Sequence, residues 1–327
     1  TCPVFRSPLQ PWNGFWVESL SVAGRISYIS GMPELPEVET VRIGLEKLLT
    51  GRRIGGLEIR NPGSFALAGF PPDCRWQDIL PGRTVRTVER RAKLLMIHLD
   101  ADLSLAIHLK MTGQLVFVPL GGGERFGAGH PSDSLVDGLP DRSTRLIFTL
   151  DNGILYFNDQ RKFGWVHLMP TAEITKLPFY RGLGPEPLAE GFGAADLAQR
   201  LRRKPGSLVK AALLDQTVVA GIGNIYADEA LWQAAVHPET RVRELRDDEI
   251  EGLWAGVRQV MNLSISLGGS TDRNYVDAEG KRGAYLGFAA VFRRQGQPCK
   301  RCGTTIIKTR VAGRGTHLCP VCQVRRG

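Results

Sequence analysis

The sequence predicts an α+β, multidomain chain: an N-terminal antiparallel β-sandwich with a leading helix, then a helical domain, then a small cysteine-bearing ribbon. Three observations carry that prediction. Apolar residues alternate with period two through 54–60, 82–99, 103–118 and 145–168, and they recur at helical spacing in segments after residue 190. The last 40 or so residues bring two Cys-x-x-Cys pairs. The 327 residues carry 42 Lys+Arg against 33 Asp+Glu, a formal charge of +9, with 43% hydrophobic residues. This composition excludes a disordered chain, and no apolar run is long enough to span a bilayer. At roughly 100–200 residues per domain, the length suits two domains and a satellite.

Residues 1–31 form an irregular extension with two basic side chains, one acidic one and no sustained period. Two readings stand for it: sequence upstream of a true start at Met32, the simpler one, or an organelle transit peptide. From Leu35 the residues Val38, Val41, Leu45, Leu48 and Leu49 recur at helical spacing behind two prolines, which predicts a helix entrance. In the β region, Leu103, Leu105, Ile107 and Leu109 face one side while Ser104, His108 and Lys110 face a polar, solvated side. Asp151-Asn152-Gly153 predicts a hairpin turn, and Gly121 to Ser143 predicts a long surface loop. The expected division is a β-sandwich domain at 32–170, a linker at 171–187, a helical domain at 188–284 whose end is a loop around 268–284, and a terminal ribbon at 285–327. Helices are expected near 194–204, 207–214, 224–235 and 247–267.

The ribbon is the most specific signal. Cys299, Cys302, Cys319 and Cys322 form two knuckles 16 residues apart, spacing that suits one structural Zn²⁺. Two disulfides are the competing reading; they need an oxidising compartment, and nothing here resembles a standard secretory signal. His317 is a spare ligand or, more simply, a surface histidine. Residues 290–327 hold nine basic side chains and no acidic one, a block that seeks polyanions and above all nucleic acid.

Two further segments carry candidate chemistry. Gly221-Ile222-Gly223-Asn224 lies between two predicted helices, and a helix start capped by Asn224 offers unpaired N–H groups to a phosphate. A tight helix–helix connection explains the same residues. At Met32-Pro33-Glu34-Leu35-Pro36-Glu37, a chain beginning at Pro33 exposes a secondary amine beside two carboxylates. Such an amine, with an ordinary pKa of roughly 7.7–8.0, is partly neutral and nucleophilic at physiological pH and able to attack a sugar C1′. A Pro/Glu-rich helix entrance is the plainer reading.

Met32-Pro33-Glu34-Leu35-Pro36-Glu37-Val38-Glu39-Thr40, the run Gly221 to Glu229 and the four-cysteine ribbon, in that order, resemble the bacterial formamidopyrimidine-DNA glycosylases from Met32 to Gly327. The resemblance implies a helix–two-turn–helix in the helical domain and a base-excision repair enzyme that removes oxidised purines, then cleaves the abasic strand by β,δ-elimination. It implies Pro33 as Schiff-base nucleophile, Glu34 as acid/base, Glu37 as the group positioning the terminus, and Lys93 as a β-hairpin lysine near the lesion. Lys210 resembles the family lysine upstream of the helix–two-turn–helix, in a supporting role; Asn224 resembles the phosphate-binding asparagine and Arg314 the zinc-finger arginine that grips phosphates at the flipped nucleotide, and His108 is a further candidate for phosphate contact. Met111, Arg161 and Phe163 resemble the residues that fill the space of an everted nucleotide, with Arg161 facing cytosine. Met111 and Phe163 would otherwise be core residues. Phe292 stands where a tyrosine is typical, and Arg273 is a candidate in the loop at 268–284. The implied partner is double-stranded DNA with an oxidised purine opposite cytosine; the implied enzyme is a monomer of the bacterial cytoplasm, associated with the nucleoid, with an organelle as the alternative if residues 1–31 are a transit peptide. Rival readings are a pyrimidine-specific glycosylase and a catalytically silent damage-binding protein, the latter if the extension stays attached and Pro33 nitrogen remains an amide.

Overall fold

The computed structural model describes residues 33–123, 125–130, 134, 138–270 and 284–325. The extension at 1–31 and Arg273 lie outside the described residues. Helix α1 (Leu35–Leu49) starts where Pro36 suits the first turn and where the Glu34 N–H donates to Glu37 Oε2 at 2.9 Å. Its apolar stripe, Val38, Val41, Leu45 and Leu49, enters the sandwich core.

Strands β1 (Ile54–Ile59), β2 (Phe65–Leu67), β3 (Val85–Arg91), β4 (Leu94–Leu99), β5 (Leu103–His108), β6 (Gly113–Pro119), β7 (Phe126–Gly129), β8 (Thr144–Leu150), β9 (Gly153–Asp159) and β10 (Trp165–Pro170) form two five-stranded sheets, with the short helix α2 (Trp76–Ile79) between β2 and β3. Their orders are β1-β8-β9-β6-β7 and β2-β10-β5-β4-β3. All pairings are antiparallel except β10 with β2, and one shared apolar core lies between the sheets. The expected hairpin at Asp151–Gly153 joins β8 to β9.

Two expectations are corrected here. Gly121 to Ser143 is not a surface loop throughout: Phe126-Gly127-Ala128-Gly129 pairs with β6 as an edge strand, and Phe126 packs so closely on α1 that a Cβ on Gly44 would come within 2.2 Å of its ring. Glycine-rich composition reads as loop, yet here it permits close approach. The supposedly solvated face of β5 is covered as well. Ser104, Ala106 and His108 are buried, in a second apolar layer with Leu94, Met96, Met169 and Ile174, closed by the turn Thr171–Lys176 and helix α3 (Pro178–Arg181).

The helical domain holds α4 (Ala194–Arg202), α5 (Val209–Leu214), α6 (Asn224–Gln233), α7 (Asp247–Ser266) and the short α8 (Tyr285–Phe288), close to the expected limits. Tyr226, Leu213, Leu231, Leu253 and Met261 centre its core, and Leu35 of α1 is packed into it. Strands β11 (Ile307–Val311) and β12 (Arg314–Leu318) form the ribbon hairpin. The stretch Leu183–Leu188 joins the domains but is no loose tether. Glu186 accepts from both Arg90 Nη1 (2.9 Å) and the Ala92 N–H, while Arg90 Nε also donates to Glu39 at 2.7 Å. The linker thereby fixes the turn between β3 and β4, where Ala92 has a left-handed φ of 53°. Among the described residues no helix is long and apolar enough to cross a membrane.

Candidate active site and DNA-facing surface

Glu34 explains the two glycines that follow α5. Its carboxylate, 2% exposed, accepts the N–H groups of Ile225 at 2.9 Å and Tyr226 at 3.5 Å, donors that the first turn of α6 leaves open. A Cβ on Gly223 would lie 2.2 Å from Glu34 Cδ, and one on Gly221 (φ +99°) would lie 2.5 Å from Leu35 Cδ1. The glycines therefore make room for the N-terminal segment. Gly223, rather than Asn224, is the N-cap, and the helix dipole faces Glu34 where the sequence suggested a phosphate. Gln216 fixes the turn by accepting from Gly221 N–H (2.9 Å) and donating to Ile222 O (2.9 Å).

Lys93, at the β3–β4 turn, donates to the same Ile222 carbonyl at 3.0 Å. Burial raises the Glu34 pKa from 4.5 to about 8, against the pull of the Lys93 charge and with the help of Glu37. Burial likewise lowers the Lys93 ammonium from its ordinary value, although Glu34 opposes the shift. At neutral pH Glu34 is thus an acid with a proton to give, beside a cation weakened by desolvation. Glu37 orders this corner: it accepts from Glu34 N–H, from the Tyr226 hydroxyl at 2.5 Å and from Ser270 N–H at 3.0 Å, while Tyr226 also meets Ser264 Oγ at 2.6 Å. Pro33 is buried immediately before Glu34.

The three wedge candidates lie together. Lys110 has a left-handed φ of 50°, which breaks the alternation of β5 and leaves Met111 outside the core. Arg161 Nη1 lies 3.1 Å from Met111 Sδ, and its guanidinium sits 5.0 Å from the ring centre of Phe163, which is 54% exposed. A large exposed phenyl under an arginine marks a contact surface more than a packing residue. The loop is shaped by Asp159, fully buried, which accepts from the Thr112 hydroxyl, from Arg161 N–H at 3.1 Å and from Gly164 N–H at 2.6 Å.

His108 is not on a solvated face. It packs against Trp165 and Phe179, with ring centroids 5.8 and 5.3 Å away, and its Nδ1 accepts the Lys110 N–H at 3.0 Å. Burial first, then Lys110 and Lys93, drive its pKa down to about 3. Its imidazole is therefore neutral, with the proton on Nε2, and can offer a phosphate a hydrogen bond but no charge.

Lys210 is fully buried. Its ammonium meets Asp228 Oδ1 at 2.6 Å, Thr316 Oγ1 at 2.7 Å and the Gly315 carbonyl at 3.0 Å. Asn224 Nδ2 donates to the same carbonyl at 3.0 Å. Both residues thus hold the ribbon hairpin and present exposed Arg314 beside its turn, where Ala312 and Gly313 are left-handed. His317 is corrected too: it is buried, its N–H and Nδ1 meet Asp228 Oδ2 at 2.9 and 3.3 Å, and Phe292 packs edge-on against its ring at 5.1 Å. The phenyl ring of Phe292 serves that contact without a hydroxyl. Glu229, one residue further along α6, accepts the N–H groups of Ala290, Val291 and Phe292 at 2.7–2.9 Å.

Four sulfurs, of Cys299, Cys302, Cys319 and Cys322, lie within 4.8 Å of one another. The Cys299–Cys322 and Cys302–Cys319 separations are 3.9 and 3.4 Å, close to the roughly 3.8 Å edge of a tetrahedron with Zn–S bonds of about 2.3 Å and far beyond a disulfide. The residues fit one structural Zn²⁺. The sequence reading missed Asp159, Tyr226, Asp228, Gln216 and Glu186. Tyr226, Asp228 and Glu186 have partners far away in the chain, and Gln216 and Asp159 hold backbone groups of their own turns, so no motif spacing marks any of them.

A β-sandwich whose N-terminal acid caps the first helix after a Gly-x-Gly turn, closed by a zinc ribbon over that helix, defines a DNA-processing enzyme of the helix–two-turn–helix, zinc-ribbon class. Residues 32–166 match the Formamidopyrimidine-DNA glycosylase N-terminal domain, 183–275 the Formamidopyrimidine-DNA glycosylase H2TH domain, and 296–324 the Zinc finger found in FPG and IleRS. The chain belongs to the formamidopyrimidine-DNA glycosylase family. It is 42% identical over 293 residues to the Formamidopyrimidine-DNA glycosylase of Desulfitobacterium hafniense, covering 90% of this chain and 100% of that protein. It is similar to a Lactococcus lactis FPG mutant in complex with Fapy-dG containing DNA (TM-score 0.77, 34% identity, 90% of this chain and 100% of that one). A second solved structure, the Lactococcus lactis enzyme bound non-covalently to DNA with an AP site, has a TM-score of 0.75 at 34% identity, covering 89% and 100% of the two chains.

Proposed function

We infer that this protein is a bifunctional base-excision repair enzyme that removes oxidised purines from duplex DNA and then cleaves the abasic strand. The observation that carries the reading is a buried acid, Glu34, held by the first turn of α6 directly after Pro33. In a chain beginning at Pro33, the nitrogen attacks C1′ and the C1′–N glycosidic bond breaks. The departing base keeps the bonding electrons and takes a proton from Glu34. The Pro33 ammonium returns its proton to Glu34, which passes it to O4′ as the C1′–O4′ bond opens and the iminium forms; the iminium acidifies C2′, loss of that proton expels the 3′ phosphate, and a second elimination expels the 5′ phosphate. A base inside the stack hides C1′, so the nucleotide is everted and Met111, Arg161 and Phe163 fill its place. Arg161 facing the orphaned base favours lesions opposite cytosine, and the enzyme works as a monomer in the bacterial cytoplasm at the nucleoid. The match beginning at residue 32, and relatives covered whole by 90% of this chain, support Pro33 as the working terminus.

Borohydride trapping on a duplex with 8-oxoguanine opposite cytosine tests the mechanism: a covalent adduct on protein starting at Pro33 is expected, and its persistence after Pro33→Gly sinks the assignment. Thymine glycol in the same assay separates the pyrimidine-specific reading. Two further outcomes follow from the geometry. Glu34→Gln lowers excision of the base by about 10²–10⁴-fold, the usual weight of a positioned acid, and affects a preformed abasic site less because no base needs protonating. The folded state raises the Glu34 pKa, so the protonated form is the one stabilised, fully present below 4.5 and lost as pH rises through about 8. Single-turnover excision should therefore fall above about pH 8 in the parent, and an unchanged alkaline limb in Glu34→Gln refutes the role. Phe163→Ala or Met111→Ala should cost excision about 10–100-fold, since eversion opposes a few kcal/mol of stacking, with little change in melting temperature. Equal losses on intact-base and abasic substrates count against the wedge.

A further inference from the structure

Trp232 lies in the last turn of α6 and is 9% exposed. Its indole Nε1–H donates to Cys299 Sγ at 3.4 Å, and the backbone N–H of Arg301 reaches the same sulfur at 3.4 Å. The Arg301 guanidinium stacks 4.2 Å from the Trp232 ring centre and donates to the carbonyls of Trp232 (3.1 Å) and Gln233 (3.2 Å). On the other knuckle, Gln323 accepts from Cys319 N–H at 3.0 Å and donates to Val236 O at 2.9 Å.

These contacts answer an electrostatic conflict. Four thiolates around one Zn²⁺ leave the cluster net negative, and it sits against the C-terminal end of α6, where unpaired carbonyls and the helix dipole are negative as well. Arg301 neutralises the carbonyls. The Trp232 N–H reaches from the helix itself to the sulfur, across an apolar contact that includes Val291 and Ile306. We propose that Trp232 is an outer-sphere partner of the structural zinc, its indole N–H controlling how tightly the metal is retained and locking the ribbon to α6. A sulfur held by two N–H donors is fixed in position and less readily displaced, so the bond acts on zinc release directly. The same helix binds Glu34 at its other end, so metal retention and the acid share one rigid element.

Trp232→Phe keeps the ring that packs and stacks with Arg301 and removes only the donor. With the full chain loaded with one zinc, chelator competition should show affinity reduced by about 10–100-fold, with release correspondingly faster, as for outer-sphere partners of other zinc sites. Trp254→Phe is the control, because its indole donates to Phe192 O at 3.0 Å within the helical domain, away from the ribbon. It should retain zinc like the parent. The proposal is overturned if Trp232→Phe holds zinc within about twofold of the parent, or if Trp254→Phe loosens it equally, since a true outer-sphere donor acts at its own site alone.

Discussion

A chain that begins at Pro33 forms a borohydride-reducible adduct with lesion DNA, and the 327-residue chain with Thr1 to Met32 attached forms none. The expected difference in excision is about 10⁴-fold or more, the scale on which losing a covalent nucleophile acts. The argument rests on one nitrogen. Within a peptide bond, the Pro33 nitrogen gives its lone pair to the carbonyl of Met32 and has neither the basicity nor the valence to form an iminium. As a terminal secondary amine it has both. The surroundings are set for the second state: the Glu34 N–H is held by Glu37, so the backbone direction at residue 34 is fixed, and Glu34 remains protonated to near pH 8 through burial. The measurement pairs adduct formation with mass spectrometry of the N-terminus. Binding without cutting by the extended chain is the result expected if the contacts of Arg314 and the wedge survive. Excision at the same rate by both chains, with no trapped adduct, removes Pro33 from the chemistry.

Much of this was legible in the sequence, and the boundary has a physical cause. Period-two alternation read the strands and a Cys-x-x-Cys pair read the metal knuckles, because both are local geometry. Met111 and Phe163 were readable only through resemblance. Periodicity alone buries Met111, and it is the left-handed Lys110 that ends the strand first. The Gly221–Gly223 turn was read as a break between helices, which it is, and as N–H groups open to a phosphate, whereas those of Ile225 and Tyr226 are taken within the chain. The group that accepts from the start of α6 is the Glu34 carboxyl, 191 residues before Ile225 in the chain and invisible to any window of sequence. His108 and His317 share this cause. Each was read as a surface residue, and each is buried because a distant element covers it: α3 and α6 respectively.

Zinc removal has the other large expected effect, and its path through the molecule can be followed. Structural zinc contributes about 10–16 kcal/mol in small ribbons, more than the whole stability of many domains. Here the ribbon has little else: its apolar cluster is Val291, Cys299, Ile306 and Cys319 with Trp232 and Ala290 from the neighbouring segments. Without metal, four thiols no longer fix the knuckles, and the β11–β12 hairpin loses its base. Lys210 then keeps Asp228 but loses Thr316 and Gly315, leaving part of a buried ammonium without partners, at a further cost of about 1–3 kcal/mol. Arg314 loses the scaffold that presents it. The sandwich and helical cores, which share no residue with that cluster, remain folded. Chelation, or Cys302→Ser, should therefore weaken binding to a duplex carrying a stable abasic analogue by about 10²-fold or more, as several phosphate contacts are lost together. Far-UV circular dichroism should change little, and new proteolytic sites should fall within 296–325. Fluorescence anisotropy reads the binding. Zinc-free protein that holds the abasic duplex as tightly as the parent, with its ribbon cleaved, separates the ribbon from DNA recognition and overturns the role given to Arg314.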